Sequence, residues 1–402
     1  MRRLPGACRT VGRTIPWVNT HLGDLALQRV PAQPKQPLRA WDAADEYVLA
    51  HLGDEPVASG ARVLLVNDAF GALACGLRHL NPTVINESAA GRQAIADNLA
   101  ANGLEPVEVI SMLDLDDDTT EPFDLVVIKV PKATAQLTDL LHRLRPHLHG
   151  DTRVLGAAMV KHLHSAALDE FGSLVGPTTT SLAKKKARLV HATVDPDIEV
   201  GHNPWPARWS AEGVEVVNYG GGFSSSSLDI GTRALLENVS NFVDVLADDA
   251  GRDGTIHAVD LGCGNGIIGL RMARDIAAAG HDVAIEAVDD SYLAVDATQA
   301  SWELSNLKAS VDTHHHHRLV EALDADSADL IVVNPPFHND RVIGDETAWS
   351  MFTDSHRVLR PGGALVVVGN RHLAYHAKLG KIFGNCETIA STAKFVILLA
   401  RR

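Results

Sequence analysis

The chain has 402 residues, 46% hydrophobic and 21% charged, and a net charge of −14. Such a composition fills buried cores in two or three domains and excludes a disordered or fibrous chain. The acidic balance also excludes a protein that coats nucleic acid by bulk attraction, so a polyanion would have to meet a local basic patch.

Residues 1–40 carry Pro5, Pro16, Pro31, Pro34 and Pro37 and read as an arm laid over a domain. Ala61–Val66 is a short apolar run of the kind buried on both faces of a sheet. A turn and helix over Ala69–Leu80, a strand Val84–Asn86, a helix Ala89–Asn102 and a strand Phe123–Lys129 follow, closed by Pro131. The rhythm is that of βαβ units and predicts a largely parallel sheet. His202 to Pro206 breaks it, which places a domain boundary near residue 205; strand-like Val214–Asn218 and the run Gly220–Ser227 come next. The rhythm then recurs: strand Thr255–Leu261, helix Asn265–Ala279, strand Val283–Asp289, helix Leu293–Leu304 and strand Leu330–Val333. A helix around Ala348–Leu359, a turn at Pro361-Gly362-Gly363 and a strand Ala364–Val368 complete it. Lining up the halves sets Asp68 against Asp260, Glu87 against Asp289, and Lys129-Val130-Pro131-Lys132 against Asn334-Pro335-Pro336-Phe337, which we read as a divergent internal duplication.

Asp260-Leu261-Gly262-Cys263-Gly264-Asn265-Gly266 lies where a strand feeds a helix. Glycines there let the backbone turn sharply and bring its N–H groups and the helix N-terminus close to a ligand. Asp289 ends the next strand, where a carboxylate can accept both hydroxyls of a ribose. An acidic residue ahead of the glycines resembles motif I of S-adenosylmethionine-dependent methyltransferases rather than a nicotinamide fingerprint. Asn334-Pro335-Pro336-Phe337 is the sharpest signal. Its prolines cannot continue a ladder, so the segment enters the cleft at the carboxyl edge of the sheet. An amide oxygen on Asn334, a free carbonyl on Pro335 and a flat face on Phe337 suit a planar ring bearing an exocyclic amine. Methyl transfer to such an amine gains chiefly from orientation and electrostatics and needs no metal. Asp229, at a loop-to-helix junction, reads from its position as an N-cap.

With these residues together, the sequence resembles the large-subunit (23S) rRNA guanine-N2 methyltransferases of the RlmG type, which are related to the small-subunit RsmC enzymes. The resemblance rests in the first half on Leu65–Leu73, Ile128–Lys132, Gly176–Thr180 and Lys185–Leu189. In the second half it rests on Leu228–Gly231, the glycine motif, Asn334–His338, Gly369–Leu373 and Lys381–Cys386. It implies two tandem doubly wound, Rossmann-like α/β methyltransferase domains. Residues 1–205 would form a degenerate copy that helps to hold RNA, and residues 206–402 the catalytic copy. Asp229, Asp260, Gly262, Gly264, Gly266 and Asp289 would then line S-adenosylmethionine, and Asn334, Pro335, Pro336 and Phe337 the guanine, with Asn334, Pro335 and Phe337 catalytic. In the first copy Phe70 would fill the cofactor approach. Lys129 and Lys132 replace the base-gripping positions with cations suited to phosphate. Two departures stand out: Ser227 sits where the family has Gly, and the adenine-side loop near Arg318 follows the tract His314–His317.

Lys184, Lys185, Lys186 and Arg188 form the densest basic cluster and are expected to bind RNA phosphates. Adjacent histidines alternate direction in an extended chain, so His314–His317 is expected to bind no metal. His338 reads as a residue that orients its loop, and Asp116–Asp118 as a solvated loop. No apolar run approaches the roughly 20 residues of a membrane-spanning helix. The amino terminus has charge but no apolar core behind it, and Cys8, Cys75, Cys263 and Cys386 make no Cys-x-x-Cys pair. A cytoplasmic monomer that touches neither membrane nor metal, with ribosomal RNA as its partner, is the expectation. The competing readings are a 16S rRNA methyltransferase, an enzyme acting on DNA adenine or protein glutamine, and a catalytically dead RNA-binding module.

Overall fold

A computed structural model of the chain describes residues 17–20, 23–32, 38–116, 121–222, 228–239, 254–336 and 341–402. The expectations for Phe337, His338 and Phe223–Ser227 lie outside the described residues.

The described part of the proline-rich arm is pinned down. Its strands β1 (Trp17–Thr20) and β2 (Gly23–Ala26) form an antiparallel hairpin. Leu27 is fully buried, and the backbone N–H groups of Ala26 and Gln28 donate to the side-chain oxygens of Asn102 and Asn98, each at 2.9 Å.

The first half builds a seven-stranded sheet from β3 (Val63–Val66), β4 (Thr83–Ile85), β5 (Glu108–Ile110), β6 (Phe123–Lys129), β7 (Leu148–Met159), β8 (Thr178–Thr180) and β9 (Ala187–Thr193), in the order β5-β4-β3-β6-β7-β9-β8. A small antiparallel pair follows, β10 (Ala207–Ala211) with β11 (Val214–Asn218). The second half repeats the sheet with β12 (Thr255–Leu261), β13 (Asp282–Asp289), β14 (Ser310–His315), β15 (Ala328–Val333), β16 (Leu359–Asn370), β17 (Glu387–Ser391) and β18 (Phe395–Arg401), in the order β14-β13-β12-β15-β16-β18-β17. In both sheets the first five strands in this order run parallel, the sixth runs antiparallel to them, and the seventh runs antiparallel to the sixth. Each is therefore doubly wound about its central strand, the architecture expected from the alternating pattern. The inner strands β3 and β15 are buried along their whole length, which is why they read as unbroken Val-Leu and Leu-Ile-Val runs. Compactness divides the chain into residues 1–86, 90–132 and 143–200 on one side, and residues 201–402 with 87–89 and 133–142 on the other.

Three local expectations are revised. The helix near Ala348 begins earlier and runs Arg341–Val358. Over Ala69–Leu80 the helix is a single turn, Ala72–Gly76, followed by a short 3-10 turn. Pro361–Gly363 is no separate turn; it lies within β16, where the ladder with β15 shifts register between Ala328 and Leu330. A side chain on Gly363 would meet three carbonyl oxygens at 3.0–3.1 Å, so the glycine is what lets the backbones close there.

Ladder register also revises the alignment of the halves. Val66 pairs with Ile85 and Ile128, and Leu261 pairs with Val288 and Val333. Lys129 thus matches Asn334, as expected. Leu65, not Asp68, stands opposite Asp260, and Asn86, not Glu87, stands opposite Asp289. Asp68 nonetheless restores the missing carboxylate from three residues further on. It accepts the N–H of Ala74 at 2.7 Å, as Asp260 accepts that of Gly269 at 2.8 Å, and the two amides hold equivalent places in the helices that follow.

Candidate active site

At the end of β12 the chain turns through Gly262, Gly264 and Gly266, with φ of 80°, 59° and 80°. L side chains avoid this left-handed region, at about 1–2 kcal/mol per residue. Gly266 begins the helix Ile267–Ala278, and a Cβ there would lie 2.9 Å from the Thr298 side chain; no described atom lies within 4 Å of such an atom on Gly264. The turn is thus packed tightly below and open above Gly264. Asn265 ties it to the β10–β11 hairpin by donating to Asn218 at 3.0 Å.

Two carboxylates frame this turn. Asp289 accepts the N–H of Gly264 at 3.1 Å and of Ser291 at 2.8 Å, and burial pushes its carboxyl up to about 6. Asp260 is fully buried; its Oδ2 accepts from Gly269, its Oδ1 has no partner among the described residues, and burial with Asp289 nearby pushes it up to about 7. Burial likewise pushes the Cys263 thiol up, so it is no nucleophile. In the loop that follows the histidine tract, the Arg318 fork holds both oxygens of Asp354, at 2.7 and 2.5 Å.

Asn334 follows β15 directly. Its Nδ2 donates to Thr232 Oγ1 at 2.9 Å and lies 3.5 Å from Asp229 Oδ2, while its Oδ1 is buried without a partner among the described residues. Asp229 is the N-cap of the helix Ile230–Leu236, accepting from Gly231 and Thr232. A buried amide oxygen left unmet costs about 1–3 kcal/mol, which marks Asn334 Oδ1 as an acceptor awaiting a ligand's N–H. Pro335 is buried and Pro336 exposed. Sequence reading missed Thr232; its only signal was its place three residues after an N-cap Asp, next to nothing chemical in the chain.

The first half turns the equivalent positions to another use. Asp42 caps the helix Ala43–Asp54, and Lys129, matching Asn334, donates to Asp42 at 2.9 Å and Asp45 at 2.6 Å. Burial pulls the ammonium pKa down, and the two carboxylates more than offset that. Lys129 is therefore an internal ion-pair residue, a correction to its expected phosphate role. Phe70 lies opposite Asn265 with the Arg29 guanidinium 4.6 Å above its ring, so an aromatic-cation stack replaces the amide brace.

Lys132 is exposed. Lys184, Lys185 and Lys186 are exposed on a tight turn closed by paired backbone hydrogen bonds between Lys184 and Ala187. Lys185 and Lys186 take left-handed φ of 48° and 66°, an uncommon conformation for lysine. Lys185 also meets Glu46 at 2.6 Å, and Lys184 sits 4.7 Å over the Tyr47 ring. Arg188 is half-buried, 3.4 Å from Thr180 Oγ1. His314 is held by Glu286 at 2.6 Å and His317 faces Glu321 at 3.4 Å; among the described residues no cluster could hold a metal ion.

A doubly wound sheet with a glycine turn after its first strand, a carboxylate ending the second and Asn-Pro-Pro after the fourth defines an S-adenosylmethionine-dependent methyltransferase. Residues 16–196 match the RLMG N-terminal domain and residues 213–399 the methyltransferase small domain. The chain is 40% identical to ribosomal RNA large subunit methyltransferase G of Streptomyces avermitilis over 96% of its own length and 98% of that protein. It is 39% identical to the protein of that name from Pseudomonas syringae pv. tomato, over 96% and 100%. A solved structure, the T. thermophilus 16S rRNA N2 G1207 methyltransferase (RsmC) in complex with AdoMet and guanosine, shares the fold with a TM-score of 0.71 at 22% identity, over 97% of this chain and 98% of that one. The chain belongs to the ribosomal RNA large subunit methyltransferase G family.

Proposed function

We propose that this protein transfers a methyl group from S-adenosylmethionine to the N2 amine of a guanine in 23S ribosomal RNA. One observation carries this reading: Asn334 holds its NH2 on Thr232 and leaves a buried, unpartnered oxygen where the fourth strand ends. The large-subunit assignment is supported by the names of the relatives, and the guanine by the need for a ring with an exocyclic amine.

The residues of the turn fit the cofactor. The space above Gly264 admits a ligand to the backbone, Asp289 keeps free lone pairs for ribose hydroxyls, and Asp260 Oδ1 is an unmet acceptor. When bound, S-adenosylmethionine supplies an electrophilic methyl group. Asn334 Oδ1 and the Pro335 carbonyl accept the two amine hydrogens, which favours a pyramidal nitrogen and aims its lone pair; Phe337 would stack on the base. The guanine leaves its stack to reach them, at a few kcal/mol from a paired helix, so naked or partly assembled RNA is the better substrate. Residues 206–402 do the chemistry and residues 1–205 hold RNA, the chain acting as a cytoplasmic monomer. Among the described residues no helix is long and apolar enough to cross a membrane.

Mass mapping of methylated nucleotides in rRNA from cells lacking the gene tests this. One guanine of 23S rRNA should lose its methyl group; a lost mark in 16S rRNA, or none, rejects it. Two further results are expected. Changing Lys184, Lys185 and Lys186 to Glu should weaken RNA binding and flatten the salt dependence of its affinity by about two in log–log slope, read by filter binding across a salt series. Cofactor affinity should fall about tenfold per pH unit below about 6 by calorimetry, because Asp289 must be ionised to accept both ribose hydroxyls. In the free protein that raised carboxyl works the other way, and stability declines as pH rises from the unfolded value near 4 through about 6.

A further inference from the structure

We infer that Thr232 is a positioning residue that, with Asp229, fixes which way the Asn334 amide faces and so admits only a base edge that donates hydrogen bonds. The inference rests on the functional reading above and deepens it. An asparagine amide can present either its oxygen or its NH2 to a cleft, and the two orientations have nearly the same shape. Presented with the NH2 outward, Asn334 would grip a carbonyl rather than an amine. Two groups decide the matter. The Asp229 carboxylate, 3.5 Å from Asn334 Nδ2, is acceptor-only when ionised and repels an amide oxygen on that side. Thr232 Oγ1, on a residue 4% exposed, takes the Nδ2 hydrogen at 2.9 Å; a hydroxyl could also donate to an amide oxygen, so the carboxylate sets the choice and the hydroxyl secures it. Asp229 is itself held by two backbone N–H groups at the helix start, so the selector is anchored to the helix rather than to a loop.

The first half offers independent support. There Asp42 and Asp45, at the same two places on the capped helix, face a donor, the Lys129 ammonium, at the place of Asn334. Both copies thus set acceptors on the helix start against a donor at the strand end. What differs is whether the strand-end residue has an oxygen left over. Asn334 does, and lysine does not.

The test uses the full-length protein, S-adenosylmethionine with a labelled methyl group, and naked 23S rRNA. Thr232→Val keeps the shape and removes the acceptor. It should lower kcat about tenfold with the KM for RNA and the cofactor Kd within twofold of wild type, and Thr232→Ser should restore most of the loss. Wild-type kcat in Thr232→Val, or Thr232→Ser as impaired as Thr232→Val, overturns the inference. Should Thr232→Val not fold, Asn334→Asp reads the same orientation. Its carboxyl must carry a proton on the side that faces the Asp229 carboxylate while presenting the other oxygen to the cleft, so its activity should rise from pH 8 to pH 6 where the wild type's does not. A profile parallel to wild type overturns the inference. A wild-type chain that transfers no methyl group to the RNA overturns the functional reading and this inference together.

Discussion

Asn334→Ala should lower kcat by about 10²- to 10³-fold while S-adenosylmethionine binds as before. The variant removes the buried oxygen that has no protein partner and with it the orienting acceptor for the base amine; loss of one such preorganised group costs about this much in other enzymes. It leaves Asp260, Asp289 and the glycine turn in place, since none of these contacts the amide in the network described. Single-turnover methyl transfer and cofactor calorimetry on one preparation separate the two effects. Full turnover in the alanine variant would remove Asn334 from the chemistry. A parallel loss of cofactor affinity would make it part of the cofactor site instead.

The second large effect is on stability. Lys129→Met should destabilise the protein by about 2–3 kcal/mol at pH 8, because it strands the buried Asp45 carboxylate with no cation; half-exposed Asp42 is screened by water and adds little. The sign of its pH dependence follows from Asp45. Burial already lifts that carboxyl above its usual range, with Lys129 opposing the rise. Without Lys129 it climbs further, and a carboxyl raised in the folded state loses stability as pH rises above its unfolded value near 3.9. The deficit should therefore shrink from pH 8 toward pH 5. Adding Asp45→Asn to Lys129→Met should recover much of it. Denaturant melts of the three proteins at the two pH values check all of this, and an unchanged midpoint in Lys129→Met would show the ion cluster to be worth nothing.

The strands were legible where the sheet is buried on both faces. Phe123–Lys129 and Thr255–Leu261 carry the bounds expected of them, since an apolar run stops where the strand leaves the core. The glycine turn and the Asn-Pro-Pro end of β15 were legible for a similar reason, because few residue types tolerate those backbones. Other features could not be read. Asp68 looks like the counterpart of Asp260 because both are Asp near a strand end, and only hydrogen-bond register shows that they stand three residues apart. Lys129 reads as a phosphate contact because its partners lie 87 and 84 residues upstream. Thr232 is one more threonine in a helix until the fold brings it against Asn334, 102 residues on. A chain announces what its backbone needs far more clearly than which distant side chains will meet.

The Lys129–Asp42–Asp45 cluster has a consequence for how such a tandem protein can change. Where the second half has Asn334 the first half holds an internal ion cluster, so replacing the lysine by asparagine would unbalance two carboxylates. An asparagine there would be tolerated only together with a change at Asp45, so the electrostatics of the cluster bind the two positions to one another.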